Sequence, residues 1–552
     1  MSIRALQAWT VRYSGEPARD PIVSHLPRAA LALVLAAYLL PLALPVPLME
    51  DDEGLHAAIA VEMVERGDWI VPRLLTEPFL DKPILYFWMQ AASIAVLGPS
   101  ELSVRLPGTA MALAGVVATG WLATAMFGAA AGGWAALCYA TMLLPYAVSL
   151  APLHDLVMVP LVVVALGAFW RAASASSTAA LARWTLLAGV TLGLSMLGKG
   201  LTGVGLVGVG VAVWLLWTRA LSWRLVLAGA VAILIGAAMA WPWYAAMERS
   251  SSGYLNYFFM QRHVAGVTDA TQRHAGRPVW YYLPIVLAGT WPWLLAAWPR
   301  ARVLATSADR LLVSWFLADF VLLSLAGSKL ATYLLPALPA VAVLAGRGVA
   351  ASAEPGTSEP RWMGVAGAMT VALPAAGLAF LWWQEPVPPS PSAILVVLLP
   401  AVVLLGVARR APVWSGADRL VTVTAAALVA LSLGVRPGVA ESLTARSLAE
   451  HFNAAGVVPS QVWVVDEGVG SLVFYLREDL RRGLMPGQVR RVSRFSVPDI
   501  PPGAPDAVLA VASDRIDGLA QVLALDGVPR PPAGQFLVLP LAGLRVRGDT
   551  SR

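Results

Sequence analysis

Two acids stand side by side at Asp52 and Glu53, directly after a long apolar run, where a carboxylate reaches both water and a lipid headgroup. A carboxylate held there can take a proton from an attacking hydroxyl or orient an acceptor. The simpler use is to fill a polar loop and favour the N-terminal end of the next helix. Asp81-Lys82-Pro83, followed by Tyr86, Phe87 and Trp88, sets one ammonium among aromatic rings. Lysine is a compact charge suited to phosphate, or here a side chain snorkelling from an interfacial helix. Lys199, in Gly198-Lys199-Gly200, and Lys329, in Gly327-Ser328-Lys329, each occupy a short turn between apolar runs. Charges at membrane depth are functional candidates, and glycines beside Lys199 would let backbone and ammonium approach a ligand; snorkelling is again the alternative. Asp155 follows His154 at the start of another apolar run and is read first as a helix N-cap. His263 and His274 lack a close-spaced partner, so a metal site with a loop acid such as Asp81 competes with a purely structural role.

The elements that must position these residues are membrane helices. Of 552 residues, 58% are hydrophobic and 13% charged, too apolar for a chain whose surface must meet water. The 22 tryptophans fit a bilayer, with Trp241/Trp243 and Trp291/Trp293 at the ends of apolar runs as interface anchors. The formal charge of +6 does not imply nucleic acid, because the basic residues are scattered singly. The single cysteine, Cys138, excludes an intrachain disulfide framework and a cysteine-based zinc site. No internal repeat or glycine-rich phosphate loop is present.

A spanning helix needs about 20 mostly apolar residues, and on that rule the chain predicts about thirteen spans. They start near residues 28, 106, 130, 154, 183, 200, 223, 279, 310, 330, 362, 391 and 417. The run Leu31 to Leu48, after Arg4, Arg12, Arg19 and Arg28, is read as a retained first helix because it lacks a small-residue cleavage site. With the N-terminus inside, the inner loops hold Arg171 and Arg183, Arg219 and Arg224, Arg300 and Arg302, Arg347 and Arg361, and Arg409 and Arg410, as the positive-inside rule requires.

The first outer loop, about residues 49–104, carries Glu50, Asp51, Asp52, Glu53, Glu62, Glu65, Asp68, Glu77, Asp81 and Glu101. Helical spacing of Ile59, Met63 and Val64, and of Ile84, Phe87, Trp88 and Ala91, predicts two amphipathic helices at the interface. A second outer loop, about 244–279, places Arg262, His263, Asp269, Arg273, His274 and Arg277 among aromatics, as a lid or donor-binding segment would. Residues 1–435 thus read as a membrane domain and 436–552, where hydropathy falls and short strands alternate with helices, as a small α/β domain outside the membrane.

Asp52-Glu53 with Ala57, Ile59, Ala60, Glu62 and Met63, then Gly67-Asp68-Trp69-Ile70-Val71-Pro72, resembles the first outer loop of aminoarabinose transferases and their protein-mannosyltransferase relatives. Asp81-Lys82-Pro83 with Leu85-Tyr86-Phe87-Trp88, Arg105-Leu106-Pro107, Lys199-Gly200, Pro278 to Pro284, and Ser328-Lys329-Leu330 with Thr332-Tyr333-Leu334-Leu335-Pro336 follow in the same order. The resemblance implies the polytopic glycosyltransferase C fold and a polyprenyl-phosphate sugar donor. By position it implies Asp52 as catalytic carboxylate with Glu53 beside it and Asp155 as a second acid. Lys82, Lys199 and Tyr333, joined by Lys329 and Arg262, would hold the donor phosphate. Asp81 and His263 would be the residues of a loop-bridging divalent metal, the one cofactor the resemblance raises. The chain departs from many aminoarabinose transferases at Leu55, where they carry Arg, and at His56, where they carry Tyr. An arginine suits a lipid A phosphate through bidentate pairing, so this departure touches acceptor choice.

The expected activity is transfer of an aminoarabinose- or hexose-like sugar to a lipid, such as lipid A, or to a protein, at the periplasmic face of the bacterial inner membrane. The alternatives are a lipid-linked-sugar flippase and an inactive relative. A transporter would show repeated halves and midplane binding residues.

Overall fold

The computed structural model describes residues 28–151, 153–265, 276–301, 304–352, 360–384, 391–408, 415–500, 505–524, 532–542 and 544–546. Among them, six helices are long and apolar enough to cross a membrane: Glu101–Phe127, His154–Ala173, Thr178–Lys199, Trp223–Ser250, Ala331–Ser352 and Gly416–Ser442. A seventh crossing is made if Ala129–Ala140 and Leu143–Leu150, bent by 55°, count as one. Ala30–Ala43, Leu85–Leu97, Thr202–Trp217 and Val279–Gly289 are apolar but shorter. Ser307–Leu325 holds Asp309, Arg310 and Asp319, which dilutes its hydropathy.

Both segments read as outer loops differ from their sequence reading. The helix Trp223–Ser250 runs through Trp241, Pro242 and Trp243, so the second loop starts some residues later than Tyr244. A short helix Tyr254–Asn256 and a π-helical segment Tyr257–Val264 follow it. Asp269, Arg273 and His274 lie outside the described residues. In the first loop, helices Asp52–Arg66 and Leu85–Leu97 form where apolar spacing predicts them. The first does not lie half-exposed at an interface, because nearly every residue from Glu53 to Met63 is buried. One side packs on Leu85–Leu97, and the other is covered by the short helix Gly470–Tyr475 from the far end of the chain.

That covering helix belongs to an α/β unit. Its sheet runs in the order Val489–Val492, Val462–Val465, Val508–Ala512, Phe536–Pro540, Pro532–Ala533. The first three strands are parallel and the last two antiparallel. One face buries Leu448, Phe452, Leu472 and Val473, and Ala58 of the loop helix completes this cluster; Leu519 and Leu523 cover the other face. The sequence division at residue 436 falls inside the helix Gly416–Ser442. Arg436 is tied to the bundle by bonds to the Pro41 and Leu150 carbonyls, and the first helix on the sheet is Arg446–Ala455.

Arg105, inside Glu101–Phe127 and only 2% exposed, fastens the first loop to the bundle. Its Nε donates to Glu53 Oε1 at 2.6 Å and its Nη2 to Glu53 Oε2 at 3.0 Å. The same guanidinium donates to the carbonyls of Val46 at 2.6 Å and Pro47 at 2.9 Å. Glu53 in turn accepts from the Met49 N–H at 2.9 Å. Breaking a buried pair strands a charge and costs about 3–5 kcal/mol, whereas replacing both partners by apolar groups is often neutral. Arg105→Met should therefore lower the unfolding temperature sharply in detergent, read by tryptophan fluorescence, and Arg105→Met with Glu53→Leu should recover most of the loss.

Candidate active site

Five segments bring their ends together on one side of the bundle. Asp52 opens the helix Asp52–Arg66 and is exposed. Asp155 lies in the first turn of His154–Ala173, and Lys199 closes Thr178–Lys199. Thr332 and Tyr333 stand in the 3-10 turn Ala331–Ala337, and Lys82 lies in the connection before Leu85–Leu97.

Lys199 Nζ is hydrogen-bonded to Asp155 Oδ1. Thr332 donates to the other carboxylate oxygen, Oδ2, at 3.1 Å, and the Lys199 ammonium sits 4.0 Å from the centre of the Tyr333 ring. Asp155 is thus more than a helix cap: it is the counter-ion of Lys199. The Lys82 ammonium is held below the usual lysine range, first by burial and then by the charge of Lys199, with Asp155, Asp52 and Asp81 acting the other way. Lys82, Lys199, Asp155 and Asp52 therefore form one electrostatic cluster. Two ammonium groups, of Lys82 and Lys199, thus share one place with the buried Asp155 carboxylate and the exposed Asp52.

Not every candidate joins this cluster. Glu53 is paired with Arg105, so its carboxylate anchors the turn beside Asp52. The Lys329 ammonium is buried and donates to the Ala326 carbonyl at 2.6 Å, capping its own turn. Arg262 pairs with Asp81, and the Tyr257 hydroxyl donates to the same carboxylate. The second outer loop is thereby pinned to the residue before Lys82.

His263 is engaged at both ring nitrogens. Nδ1 bonds the Phe258 carbonyl at 2.9 Å and Nε2 accepts from the Leu201 N–H at 3.1 Å. A Cβ at Gly200, whose φ is +63°, would come within 2.3 Å of that ring. Gly200 thus admits a histidine where the sequence suggested a ligand. With Asp81 held by Arg262 and His263 by backbone, these two residues do not fit a metal site. Among the described residues no three His, Cys, Asp or Glu side chains gather to hold an ion.

Sequence reasoning missed the wall of the cluster. His56 and His154 meet edge to face with ring centres 4.6 Å apart, and both pack on Tyr86 and Phe87. Burial, and then the nearby Lys82 charge, holds the His56 ring down at about 3, so it is neutral at pH 7. The signal was available, since His56 follows Asp52 by four residues and so shares its helix face, and His154 adjoins Asp155.

Residues 81–244 match the family model described as dolichyl-phosphate-mannose-protein mannosyltransferase. The chain is 30% identical over 316 residues to the undecaprenyl phosphate-alpha-4-amino-4-deoxy-L-arabinose arabinosyl transferase of Erwinia tasmaniensis, covering 56% of each chain. It is 30% identical over 325 residues to that of Yersinia enterocolitica, covering 57% of this chain and 58% of the relative. It thus spans little more than half the length of the curated relatives it matches. The crystal structure of ArnT from Cupriavidus metallidurans bound to undecaprenyl phosphate shares the fold, with a TM-score of 0.74, 22% identity, and coverage of 93% of this chain and 97% of that one. The chain is thus similar to the aminoarabinose transferases over little more than half of its length, to the protein-mannosyltransferase model over residues 81–244, and in fold to ArnT over nearly all of it.

Proposed function

We propose that the chain transfers a sugar from a polyprenyl-phosphate donor to a lipid or protein acceptor at the periplasmic face of the bacterial inner membrane. The observation that carries this reading is the pairing of Lys82 and Lys199 around Asp155 beside an exposed Asp52. The fold shared with an ArnT that holds undecaprenyl phosphate supports the donor class. The membrane part then makes about thirteen crossings, counting the shorter apolar helices other than Leu85–Leu97 together with Ser307–Leu325, Arg361–Gln384 and Pro391–Ala408, and the α/β unit of the chain's last hundred or so residues lies in the periplasm.

In this reading the phosphate is the leaving group, and its growing charge meets Lys82 and Lys199. Fixed cations in a partly dry cavity stabilise such charge more than they would in water. Asp155 and Thr332 hold Lys199, while the Tyr333 ring backs its ammonium. Asp52 receives the acceptor proton, or orients an acceptor that is already ionised. Glu53, through Arg105, fixes the helix from which Asp52 projects, and Arg262 with Tyr257 docks the second loop over the site. His56 supplies a neutral, apolar edge where many aminoarabinose transferases have Tyr. With Leu55 in place of Arg, phosphate recognition on the acceptor must come from elsewhere or be absent.

Purified protein in nanodiscs, given polyprenyl-phosphate sugars and candidate lipid or peptide acceptors, should transfer sugar detectably by mass spectrometry. Asp52→Asn should abolish transfer, and Lys199→Gln should lower kcat/KM by roughly a hundredfold or more; an Asp52→Asn enzyme with undiminished transfer would refute the assignment. The alkaline limb of kcat/KM should fall below the ordinary lysine range, because Lys82 loses its proton early, and Lys82→Arg should move that limb upward. A metal chelator should leave the rate unchanged.

A further inference from the structure

The helix that carries Asp52 is entered through Glu50, and Glu50 is held from the far end of the chain. Its backbone N–H donates to the Leu443 carbonyl at 2.7 Å, and its Oε1 accepts from the Ser471 backbone N–H. The other oxygen, Oε2, is buried with no hydrogen-bond partner among the described residues. It lies against Gly468, where a Cβ would come within 2.2 Å of it. A Cβ at Gly470 would meet the Leu55 nitrogen at 2.3 Å, and one at Gly54 the Ser471 nitrogen at 2.6 Å. Backbone therefore meets backbone along the 468–471 turn and the first turn of the Asp52 helix.

The charged groups that face Glu50 are Asp51 from its own segment and Glu467 from the α/β unit. Each already has an arginine, Asp51 with Arg491 at 3.2 Å and Glu467 with Arg515 at 2.7 Å. Glu50 has the Ser471 N–H and two like charges.

We propose that Glu50 is a positioning residue through which the α/β unit sets the place of Asp52, and that this hold loosens when the Glu50 carboxyl loses its proton. The proposal rests on Asp52 being the acceptor-facing acid of the reading above. Burial is the largest influence and raises Glu50 from 4.5 to about 7; Asp51 and Glu467 add to it, while Ser471 opposes it. A carboxyl so raised binds more protons with the contact closed than open. Closure is then strongest at acid pH, weakens as pH rises through the interval from 4.5 to about 7, and is constant above it.

Amide hydrogen exchange of the intact protein in nanodiscs, corrected for intrinsic chemistry, tests this without reference to turnover. Between pH 5.5 and 7.5, protection of peptides spanning 50–66 and 468–476 should fall by up to roughly twentyfold. Glu50→Gln should erase that pH dependence and keep the protection seen at pH 5.5. Gly468→Ala, acting from the domain side, should lower protection at both pH values. Wild-type protection that is flat across this range, or a pH dependence that survives in Glu50→Gln, would overturn the proposal. Where transfer is measurable, Glu50→Gln should flatten the decline of kcat across the same interval and leave the donor KM unchanged; an unaltered kcat profile would overturn the link to Asp52. Absence of transfer in the wild type would instead overturn the catalytic reading and leave the exchange result to decide the contact by itself.

Discussion

A guanidinium buried inside an apolar helix is tolerable only if its nitrogens find acceptors, and all three nitrogens of Arg105 do so by gathering the first loop around it. Glu53 neutralises it, while the carbonyls of Val46 and Pro47 accept two further N–H bonds. The carboxylate so used lies next to Asp52, hence the most exposed acid of the site is presented by the most constrained turn of the loop. Desolvation makes this pair an expensive way to gain stability, but it leaves the chain few other ways to enter the Asp52 helix.

The cation cluster follows from a different constraint. Lys199 and Asp155 end and begin neighbouring spans, where a helix C-terminus favours a cation and an N-terminus an anion. Thr332 and Tyr333 come from a 3-10 turn packed on the same span as Asp155. Lys82 is supplied by the first loop and held near by the second, through Asp81, Arg262 and Tyr257. Two loops and three membrane segments must therefore be in register before both ammonium groups face one place.

Much of this was legible in the sequence because it lives in local pattern. Apolar run length marked the long helices, and the acids after the first apolar run marked the helix that carries Asp52. The order of short motifs named the residues that the fold brings together. What the sequence hid depends on partners distant in the chain. Glu53 looked like a twin of Asp52, and only the helix bearing Arg105 separates their roles. The helix Asp52–Arg66 looked amphipathic because its polar residues are matched across the α/β unit, as Glu65 is by Arg481. Gly200 looked like an opening for a ligand, and no local rule could place the His263 ring against it. An arginine at position 105, on the side where few cations are expected, was the one clue in plain view.

Ala58 lies in the core of a sheet whose strands begin about 400 residues further along the chain. During synthesis, at about 5–20 residues per second, the roughly 380 residues between this helix and Arg446–Ala455 occupy the ribosome for roughly 20–80 s. Throughout that interval the first loop has been made, yet the surface that should cover Ala58 does not exist. The loop helix must wait half-dressed at the membrane, a state that invites chaperones and proteases. A chain truncated before the sheet would keep its membrane helices and every ammonium of the site, but its Asp52 helix would have nothing to rest against. Completion of the polypeptide thus acts as its own quality check.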